Sequence, residues 1–411
     1  MSLLGYRCSA CEASFSPDEE RELCAHCDAN LDVRIQLEGI ERESIERCRD
    51  PSLWRYAPLL PVAIPGIEDG PLRTVGGTPL MRADRVATRF GMVPGRVWIK
   101  DEGRQPTGSL KDRASAIVVQ RARRLGRSPI LTASTGNAGV ALAAMARAAG
   151  IEAVILLPEG APAAKIAQLR VFGARLCLVR GSYDDAFRLS KEAAAALGWY
   201  CRNTGQNPFT IEGKKTVSFE IAEALGWRAP GWIVVPVGDG NIITGVHKGF
   251  AELLALGWID RMPRLLGVQA EGSSPIARAW ERGDAQIVAG PASTRADSIC
   301  AGDPADGARA LRAVRQTGGA FVRVSDASIL EAIPALGREA AIFAEPAAAA
   351  AHAGLGAARA SGVIDAGEEV LLLITGTGLK DVGAAGLALE GQPPTIDANL
   401  DALRAAISTA L

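Results

Sequence analysis

A lysine stands where a side-chain amine can act as a nucleophile or as a base. Lys111 follows the loop-like residues 106–110 and precedes residues 114–125, which have the apolar spacing of a helix. The positive end of a helix dipole lowers the pKa of an amine placed there, and the neutral amine is the form that attacks a carbonyl group. By itself Lys111 is better explained as a solvated surface lysine, so its role depends on its neighbours.

Three glycine-containing turns, each after an apolar segment, offer groups that bind small polar ligands. They read Ser-Thr-Gly-Asn-Ala-Gly at 134–139, Gly-Asp-Gly-Asn-Ile at 238–242 and Thr-Gly-Thr-Gly-Leu-Lys-Asp at 375–381. Backbone amides at a helix start bind carboxylate or phosphate, and a threonine hydroxyl can bond a neutral ring nitrogen. The second turn is not a dinucleotide motif, because Ile243 replaces its third glycine, and its Asp239 is expected to point away from a bound anion. Each turn alone fits an ordinary helix cap.

Four of the eight cysteines have the spacing of a metal site. Cys8 and Cys11 form one CxxC pair, and Cys24 and Cys27 form another after twelve intervening residues. Two such turns complete a tetrahedral set of thiolates for a structural zinc ion, with no position open to substrate. The alternatives are unrelated thiols or disulfides, and disulfides fit poorly with the cytoplasmic location that the N-terminal sequence predicts. His26, inside the second pair, is a weaker candidate ligand.

Alternating strand-like and helix-like segments must position these groups. The strand candidates lie at residues 96–100, 129–133, 153–157, 175–179, 232–237, 265–268, 321–324 and 370–375, and the helical runs at 114–125, 138–149, 162–172, 184–197 and 243–256. This order predicts an α/β fold with parallel sheets covered by helices on both faces, in which ligands bind at the carboxyl ends of the strands. Residues 35–75 form a proline-rich connecting arm, and residues 397–411 are predicted to form an amphipathic helix.

The composition excludes several classes of protein. The chain has 411 residues, 45 basic and 46 acidic side chains, and a formal net charge of −1. That length predicts two or more domains, and the charge balance argues against a nucleic-acid partner. With 48% hydrophobic and 22% charged residues, the composition is that of a well-packed globular protein and not of a disordered chain. No apolar run is long enough to span a membrane.

Taken together and in this order, the motifs resemble those of the fold-type II (tryptophan synthase β-like) pyridoxal-phosphate enzymes, and within them the threonine synthase group. Gly77-Thr78-Pro79-Leu80 is similar to the group's GxTPL segment. Residues 106–113 are similar to its PTGSFKDR motif with Leu110 for Phe, and residues 375–381 to its TGHGLKD motif with Thr377 for His. A cysteine ribbon at the N-terminus also occurs in the group. The resemblance covers nearly the whole chain after the arm.

The resemblance implies an architecture and a class of partner. It implies two three-layer αβα domains with parallel-rich sheets and an N-terminal zinc-ribbon-like segment. Residues 1–34 would form the ribbon, residues 35–115 together with 205–411 the large pyridoxal-phosphate-binding domain, and residues 116–204 a small α/β domain. The implied protein is a homodimeric lyase of amino-acid biosynthesis with a small amino-acid substrate.

Carried over by position, the resemblance assigns roles to individual residues. Lys111 would bind pyridoxal phosphate covalently and then act as the catalytic base. The other implied cofactor contacts are Asn137 at the ring 3′-oxygen, Gly238, Asp239, Gly240, Asn241 and Ile242 at the phosphate, and Thr375 at the pyridine nitrogen. The implied substrate contacts are Ser134, Thr135 and Gly136 at the carboxylate, and Asn203, Thr204 and Thr210 at the phosphate.

The implied reaction removes the α-proton of O-phosphohomoserine, expels its phosphate and adds water to give threonine. Two residues depart from the group's pattern: Thr210 stands where members carry an arginine, and Ala138 where many carry a threonine. Arginine makes bidentate, charge-assisted bonds to phosphate that threonine cannot make. The basic residues considered as replacements are Lys165, Arg202, Lys214 and Lys215. The alternatives are a β-eliminating or β-replacing enzyme, cysteate-synthase-like or serine/threonine dehydratase-like, and a non-catalytic paralogue, against which Lys111 argues.

Overall fold

The N-terminal segment folds into a small antiparallel sheet. The computed structural model of the chain describes residues 3–161, 163–389, 391 and 393–408. The strands β1 Leu3–Cys8, β2 Ser14–Phe15 and β3 Leu31–Ile35 are arranged in the order β2-β1-β3. Tyr6 and Cys8 on β1 are buried and Arg7 between them is exposed, so one face of this sheet packs against the rest of the protein.

A six-stranded sheet forms the centre of the molecule. Its strands are β4 Leu80–Arg82, β5 Val97–Asp101, β10 Trp232–Pro236, β11 Arg264–Ala270, β12 Ala320–Val324 and β13 Val370–Ile374. They lie in the order β12-β11-β10-β13-β5-β4, and every neighbouring pair is parallel except β4 with β5. The central strands β10 and β13 are buried along their whole length, as expected of a parallel sheet covered on both faces.

A second, fully parallel sheet has four strands. These are β6 Ile130–Ala133, β7 Ala153–Pro158, β8 Arg175–Val179 and β9 Tyr200–Cys201, in the order β8-β7-β6-β9. The apolar strand β6 lies between β7 and β9. The turn that follows β6 therefore emerges between neighbouring strands, where ligands bind in open α/β sheets.

Helices cover both sheets, and short 3₁₀ helices occupy part of the connecting segments. The α-helices are α1 Arg42–Glu46, α2 Asp84–Arg89, α3 Lys111–Arg124, α4 Asn137–Ala148, α5 Ala163–Val171, α6 Tyr183–Leu197, α7 Phe209–Lys214, α8 Thr216–Ala224, α9 Asn241–Ala255, α10 Pro275–Glu281, α11 Gly307–Gln316, α12 Asp326–Ala340, α13 Pro346–Ala360, α14 Val382–Leu387 and α15 Leu400–Ser408. The 3₁₀ helices are Leu53–Leu59, Ile67–Thr74, Glu102–Arg104, Asp297–Ile299 and Gly378–Lys380.

Alternate residues of the central strands supply two separate cores. On β13, Leu372 belongs to a core that contains buried residues of α12 and α13, whereas Leu371 belongs to a core that contains buried residues of α8, α9 and α11. This division follows from the two-residue repeat of a strand. A third core joins the N-terminal sheet to α3 and α4, so the N-terminal segment is packed against the helices next to the predicted site.

A buried ion cluster connects the strand β5 to α3 and α8. The Arg113 guanidinium is fully buried and contacts Glu102 (2.7 Å) and Glu220 (2.6 Å). Lys100 makes a further ion pair with Glu220 (2.6 Å), and Thr78 donates its hydroxyl to Glu102 (2.5 Å). Burial disfavours the charged carboxylate, but Arg113 and Lys100 together hold the pKa of Glu220 well below its usual range. Two cations and two anions thus balance each other beside the start of α3.

The predicted α/β fold with parallel sheets is confirmed, and its elements differ from the prediction mainly at their ends. The strand predicted at 175–179 has the same limits, and the helix predicted at 243–256 begins two residues earlier, at Asn241. Pro162, the predicted start of α5, lies outside the described residues, as do residues 409–411 of the predicted C-terminal helix. Among the described helices, none has the length and apolar character needed to cross a bilayer.

Candidate active site

The loop before Lys111 is held against the loop that follows β13. The Leu110 N–H donates to the Thr375 carbonyl (2.9 Å), and the Thr377 N–H donates to the Gly108 carbonyl (3.0 Å). Ser109 and Gly376 form an antiparallel bridge between these two bonds. The motifs at 106–113 and 375–381, which are distant in sequence, therefore meet at the carboxyl end of β13.

Within the lysine loop, Asp112 fixes Thr107. Thr107 donates its backbone N–H to Asp112 Oδ2 (2.6 Å) and its hydroxyl to Asp112 Oδ1 (2.5 Å). Burial raises the pKa of the Asp112 carboxyl to about 6, although the two hydrogen bonds act in the opposite direction. The carboxyl group next to Lys111 thus closes the loop that leads into α3.

Lys111 is the first residue of α3, and its surroundings favour the neutral amine. Its pKa is lowered, first because burial disfavours the ammonium form and further because Arg202 is nearby. Asp239 and Glu345 act in the opposite direction. Lys111 therefore shares one electrostatic environment with groups from the second turn, from the end of β9 and from the start of α13.

The turn after β6 brings Asn137 to Glu345. Asn137, the first residue of α4, donates its amide nitrogen to Glu345 Oε1 (2.8 Å) and Oε2 (3.1 Å). The Ser134 hydroxyl accepts from the backbone N–H of Gly136 (3.2 Å) and of Gly139 (3.1 Å), so this side chain shapes the turn. Glu345 was not among the site residues predicted from the sequence. A single glutamate before a proline and an alanine-rich helix indicates the start of a helix and gives no sign of a role in binding.

A cavity opens beside Asn137. Its lining includes Thr135, Gly136, Glu345 and Lys380. The ammonium group of Lys380 has no hydrogen-bond partner among the described residues, and burial lowers its pKa. Two of the three residues expected to hold a substrate carboxylate therefore face this cavity together with a lysine from the motif at 375–381.

The turn between β10 and α9 depends on its second glycine. Gly240 has φ = +92°, and a Cβ on it would lie 2.8 Å from the Asp306 carbonyl oxygen. Apart from that of Asn241, which is bonded to Asp239, the first amides of α9 have no acceptor within the helix and are available to an anion. The Asp239 carboxylate accepts from the Asn241 N–H (3.1 Å). Burial acts to raise the pKa of this carboxyl, but the nearby Lys111 and Lys214 lower it.

The residues implied to hold a substrate phosphate have other hydrogen-bond partners. Asn203 accepts from the Thr132 hydroxyl (3.0 Å) and donates to the Ser190 hydroxyl (2.7 Å), which joins β6 to α6. The Thr210 hydroxyl donates to the carbonyl of residue 207 (2.8 Å). Thr204 accepts from Arg202 (2.6 Å). Of these three side chains, that of Thr204 is in direct contact with a cation.

The four ribbon cysteines converge on one point. Their sulfur atoms lie within 4.8 Å of one another, with Cys8 to Cys27 at 3.5 Å and Cys11 to Cys24 at 3.6 Å. A tetrahedral zinc ion bound by sulfur at about 2.3 Å has sulfur–sulfur edges of about 3.8 Å, so the thiol cluster has the dimensions of a metal site. His26 is exposed and packs edge-on against Phe15 (5.5 Å).

Known proteins are similar to this chain over most of its length. The sequence profile of the family described as pyridoxal-phosphate dependent enzyme matches residues 72–376. The chain is 40% identical to the threonine synthase of Methanosarcina acetivorans over 98% of both chains. It is 36% identical to the threonine synthase of Methanocaldococcus jannaschii over 97% of this chain and 98% of that relative.

The chain belongs to the threonine synthase family of pyridoxal-phosphate enzymes.

Solved structures agree on the fold. The processed form of threonine deaminase isoform 2 from Solanum lycopersicum is 22% identical, with a TM-score of 0.64 over 82% of this chain and 92% of that one. Maize serine racemase is 23% identical, with a TM-score of 0.63 over 76% and 91%. At these identities the likeness defines a fold-type II architecture. With its threonine synthase relatives, it makes this family member a pyridoxal-phosphate-dependent lyase.

The residues at the site fit the cofactor of the family. The turn before α9 combines helix-start amides, of which that of Asn241 is bonded to Asp239, with a glycine whose Cβ would collide with neighbouring atoms. Lys111, whose buried amine has a lowered pKa, interacts with Asp239 of that turn. A phosphate at the turn and an aldehyde near Lys111 would therefore both meet groups of matching chemistry.

Proposed function

We propose that this family member converts O-phospho-L-homoserine and water into L-threonine and inorganic phosphate. The observation that carries the proposal is the 40% identity to a curated threonine synthase over 98% of both chains. It is supported by the pairing of the loop before Lys111 with the loop at 375–377, which brings the family's two most specific motifs together.

In the proposed site, each group keeps the role that its position implies. Lys111 binds pyridoxal phosphate, Asn137 contacts the ring 3′-oxygen, and Thr375 meets the pyridine nitrogen. Residues 238–242 bind the cofactor phosphate, and residues 134–136 bind the substrate carboxylate. Thr204 lies near the substrate phosphate. Asn203 and Thr210 make no phosphate contact in this proposal, because their side chains bond to other groups of the protein.

The proposed chemistry depends on proton transfer by Lys111. When bound, pyridoxal phosphate withdraws electrons from the carbon that bears the substrate amino group. The lowered pKa of Lys111 supplies a neutral amine, which can remove the α-proton and move protons at the β-carbon. Removal of a β-proton lets the γ-phosphate leave with its bonding electron pair, and a proton then adds at the γ-carbon to form the methyl group. Water adds its hydroxyl group at the β-carbon, and the α-carbon regains a proton. Glu345 orients Asn137 through two hydrogen bonds and thereby fixes the ring contact.

Phosphate release from O-phospho-L-homoserine by the purified holoenzyme tests this function, with L-threonine identified as the product. Lys111→Ala is expected to abolish both turnover and the absorbance of the lysine-bound cofactor. Turnover of O-phosphoserine or serine, with none of O-phosphohomoserine, would instead favour a β-eliminating or β-replacing enzyme. The observation that favours β-elimination or β-replacement as a second function is Thr210, which stands in place of the family arginine.

Three further properties belong to the same proposal. The cysteine cluster binds a structural zinc ion, which is supported by the convergence of its four sulfur atoms. The chain acts in the cytoplasm, which is supported by the absence of a disulfide among its eight cysteines.

The chain also forms a homodimer, for which α15 offers contact surface through its exposed apolar side chains Leu400, Leu403 and Ile407. Light scattering that gives twice the chain mass of 42.9 kDa would support the dimer.

A further inference from the structure

Two basic residues near Lys111 are buried completely. Arg202, directly after β9, and Lys214, the last residue of α7, both have 0% exposed surface. A buried cation is unfavourable unless an anion or a set of oriented oxygens compensates for its lost hydration. An anion bound near either residue would therefore add a favourable interaction.

Lys214 lies against the turn predicted to hold the cofactor phosphate. Its ammonium group donates to the Asn241 side-chain oxygen, a neutral acceptor at the start of α9. No carboxylate lies within ion-pair distance of Lys214 in the described part of the chain, although Asp239 and Asp306 interact with it electrostatically. Burial, Lys111 and Arg202 lower the pKa of Lys214 well below its usual range. An anion at this turn would reverse that shift.

Arg202 contacts α3, the helix that begins at Lys111. Its Nε donates to the Ser115 hydroxyl (3.3 Å) and its Nη1 to the Thr204 hydroxyl (2.6 Å). Ser115 is four residues after Lys111 on α3, so both side chains are on the same face of that helix. Arg202 also interacts electrostatically with Lys111 and Asp239.

Of the four basic residues named as replacements for the family arginine, Lys165 and Lys215 are not assigned to phosphate binding. Lys215 makes ion pairs with Glu212 (2.7 Å) and Glu252 (2.8 Å), so its charge is balanced within the protein. The side chain of Lys165 lies outside the described residues. Arg202 and Lys214 remain as basic groups that are placed around Lys111.

We propose that Arg202 and Lys214 form a buried cationic site for phosphate monoesters, which supplies the positive charge that the family arginine would carry at position 210. The contact with Asn241 assigns Lys214 to the cofactor phosphate, and the contacts with Ser115 and Thr204 assign Arg202 to the phosphate of the substrate. The identity of the substrate in this inference rests on the proposed function. The existence of the cationic site does not.

The test compares Arg202→Gln and Lys214→Gln with the wild-type holoenzyme, and uses Arg121→Gln as a matched control. Arg121 is a buried arginine of α3 that contacts Tyr6 and Phe209 instead of the site. For Arg202→Gln, we expect the KM for O-phospho-L-homoserine and the inhibition constant of inorganic phosphate to rise roughly 10- to 100-fold, the loss expected for charged hydrogen bonds. L-threonine, which has no phosphate, should bind within twofold of wild type, as measured by the change in cofactor absorbance.

For Lys214→Gln, the expected effect is on the cofactor. Its dissociation constant for pyridoxal phosphate, measured by absorbance titration, should rise at least tenfold, while that for pyridoxal, which lacks the phosphate, should not change. Arg121→Gln should leave all these constants unchanged, even if it lowers the melting temperature. Should Arg202→Gln fail to fold, Arg202→Lys replaces it: a point charge without the bidentate fork should weaken inorganic phosphate inhibition severalfold.

The possible outcomes distinguish failure of the phosphate site from failure of the proposed reaction. Equal phosphate inhibition and equal KM in wild type and Arg202→Gln, together with equal cofactor affinity in Lys214→Gln, would overturn the inference. If the wild type does not turn over O-phospho-L-homoserine but inorganic phosphate binds in an Arg202-dependent manner, the proposed function fails and the phosphate site stands.

Discussion

At the scale of single residues, the active site combines groups whose charge states are set by burial. Lys111 and Lys214 have lowered pKa values because a buried ammonium group loses hydration, and Asp112 has a raised one because a buried carboxylate does. Neither effect is visible in the sequence, since Lys111 and Lys214 look like surface lysines there. The motifs identified Lys111, but the depth of Arg202 and Lys214 depends on residues far along the chain.

Asp112 should make stability depend on pH in a definite direction. Its folded pKa of about 6 lies above the ordinary value of 3.8, so the folded protein holds the proton more tightly than the unfolded chain does. The free energy of unfolding should therefore fall by up to about 3 kcal/mol as pH rises from about 4 to about 6, and Asp112→Asn should lack this contribution. Denaturant unfolding of both proteins across this range measures it.

The control for that prediction has a carboxyl with the opposite shift. Hydrogen bonds from Gly95 and Arg82 lower the pKa of exposed Asp84, so Asp84→Asn should remove stability that is lost below pH 4 instead. Parallel pH profiles for wild type and Asp112→Asn between pH 4 and 6 would show that Asp112 does not titrate as described.

At the scale of elements, buried ion pairs position the start of α3 in addition to apolar packing. Arg113 occupies the first turn and lies between Glu102, which follows β5, and Glu220 on α8. The sequence pattern predicted the strand and the helix from their apolar periodicity. It gave no indication that Glu102, Glu220 and Lys100 would pair with Arg113, because ion pairs between distant segments leave no local periodic signal.

Removing Arg113 should destabilise the fold strongly. Arg113→Leu leaves two buried carboxylates facing one remaining cation, Lys100, and the loss of one partner of a buried pair costs about 3–5 kcal/mol. Arg124→Leu, an exposed position on the same helix, should change the free energy of unfolding by less than about 0.5 kcal/mol. Urea unfolding of the two variants and the wild type distinguishes them; equal midpoints for all three would contradict the proposed importance of the cluster.

At the scale of the whole molecule, the N-terminal sheet is linked to the turn between β10 and α9 by a continuous set of contacts. Asp32 pairs with Arg309 (2.9 Å), Arg309 also pairs with Asp306, and Asp306 accepts from the Asn241 side chain (3.0 Å). The cysteine spacing predicted the metal cluster as a local unit. The sequence could not predict this linkage, because it depends on how the ribbon packs against α11.

Loss of the proposed zinc ion from the cysteine cluster should weaken cofactor binding at a distance. Cys24→Ser, or removal of zinc by a chelator, is expected to raise the dissociation constant for pyridoxal phosphate about 2- to 30-fold, the range produced by a coupling of about 0.5–2 kcal/mol. Metal content is measured alongside by mass spectrometry. Cys177→Ser, at an exposed cysteine of β8, should change neither quantity. Unchanged cofactor affinity in metal-free protein would exclude the linkage.

The backbone pairing of the lysine loop also bears on how the enzyme is made in the cell. Gly108 and Leu110 are held by Thr375 and Thr377, which are synthesised long after them. Because contacts between distant segments form only once both are present, a nascent chain emerging from the ribosome lacks the edge that fixes this loop. An unfinished chain that stops before residue 375 would thus have the lysine without the support that positions it.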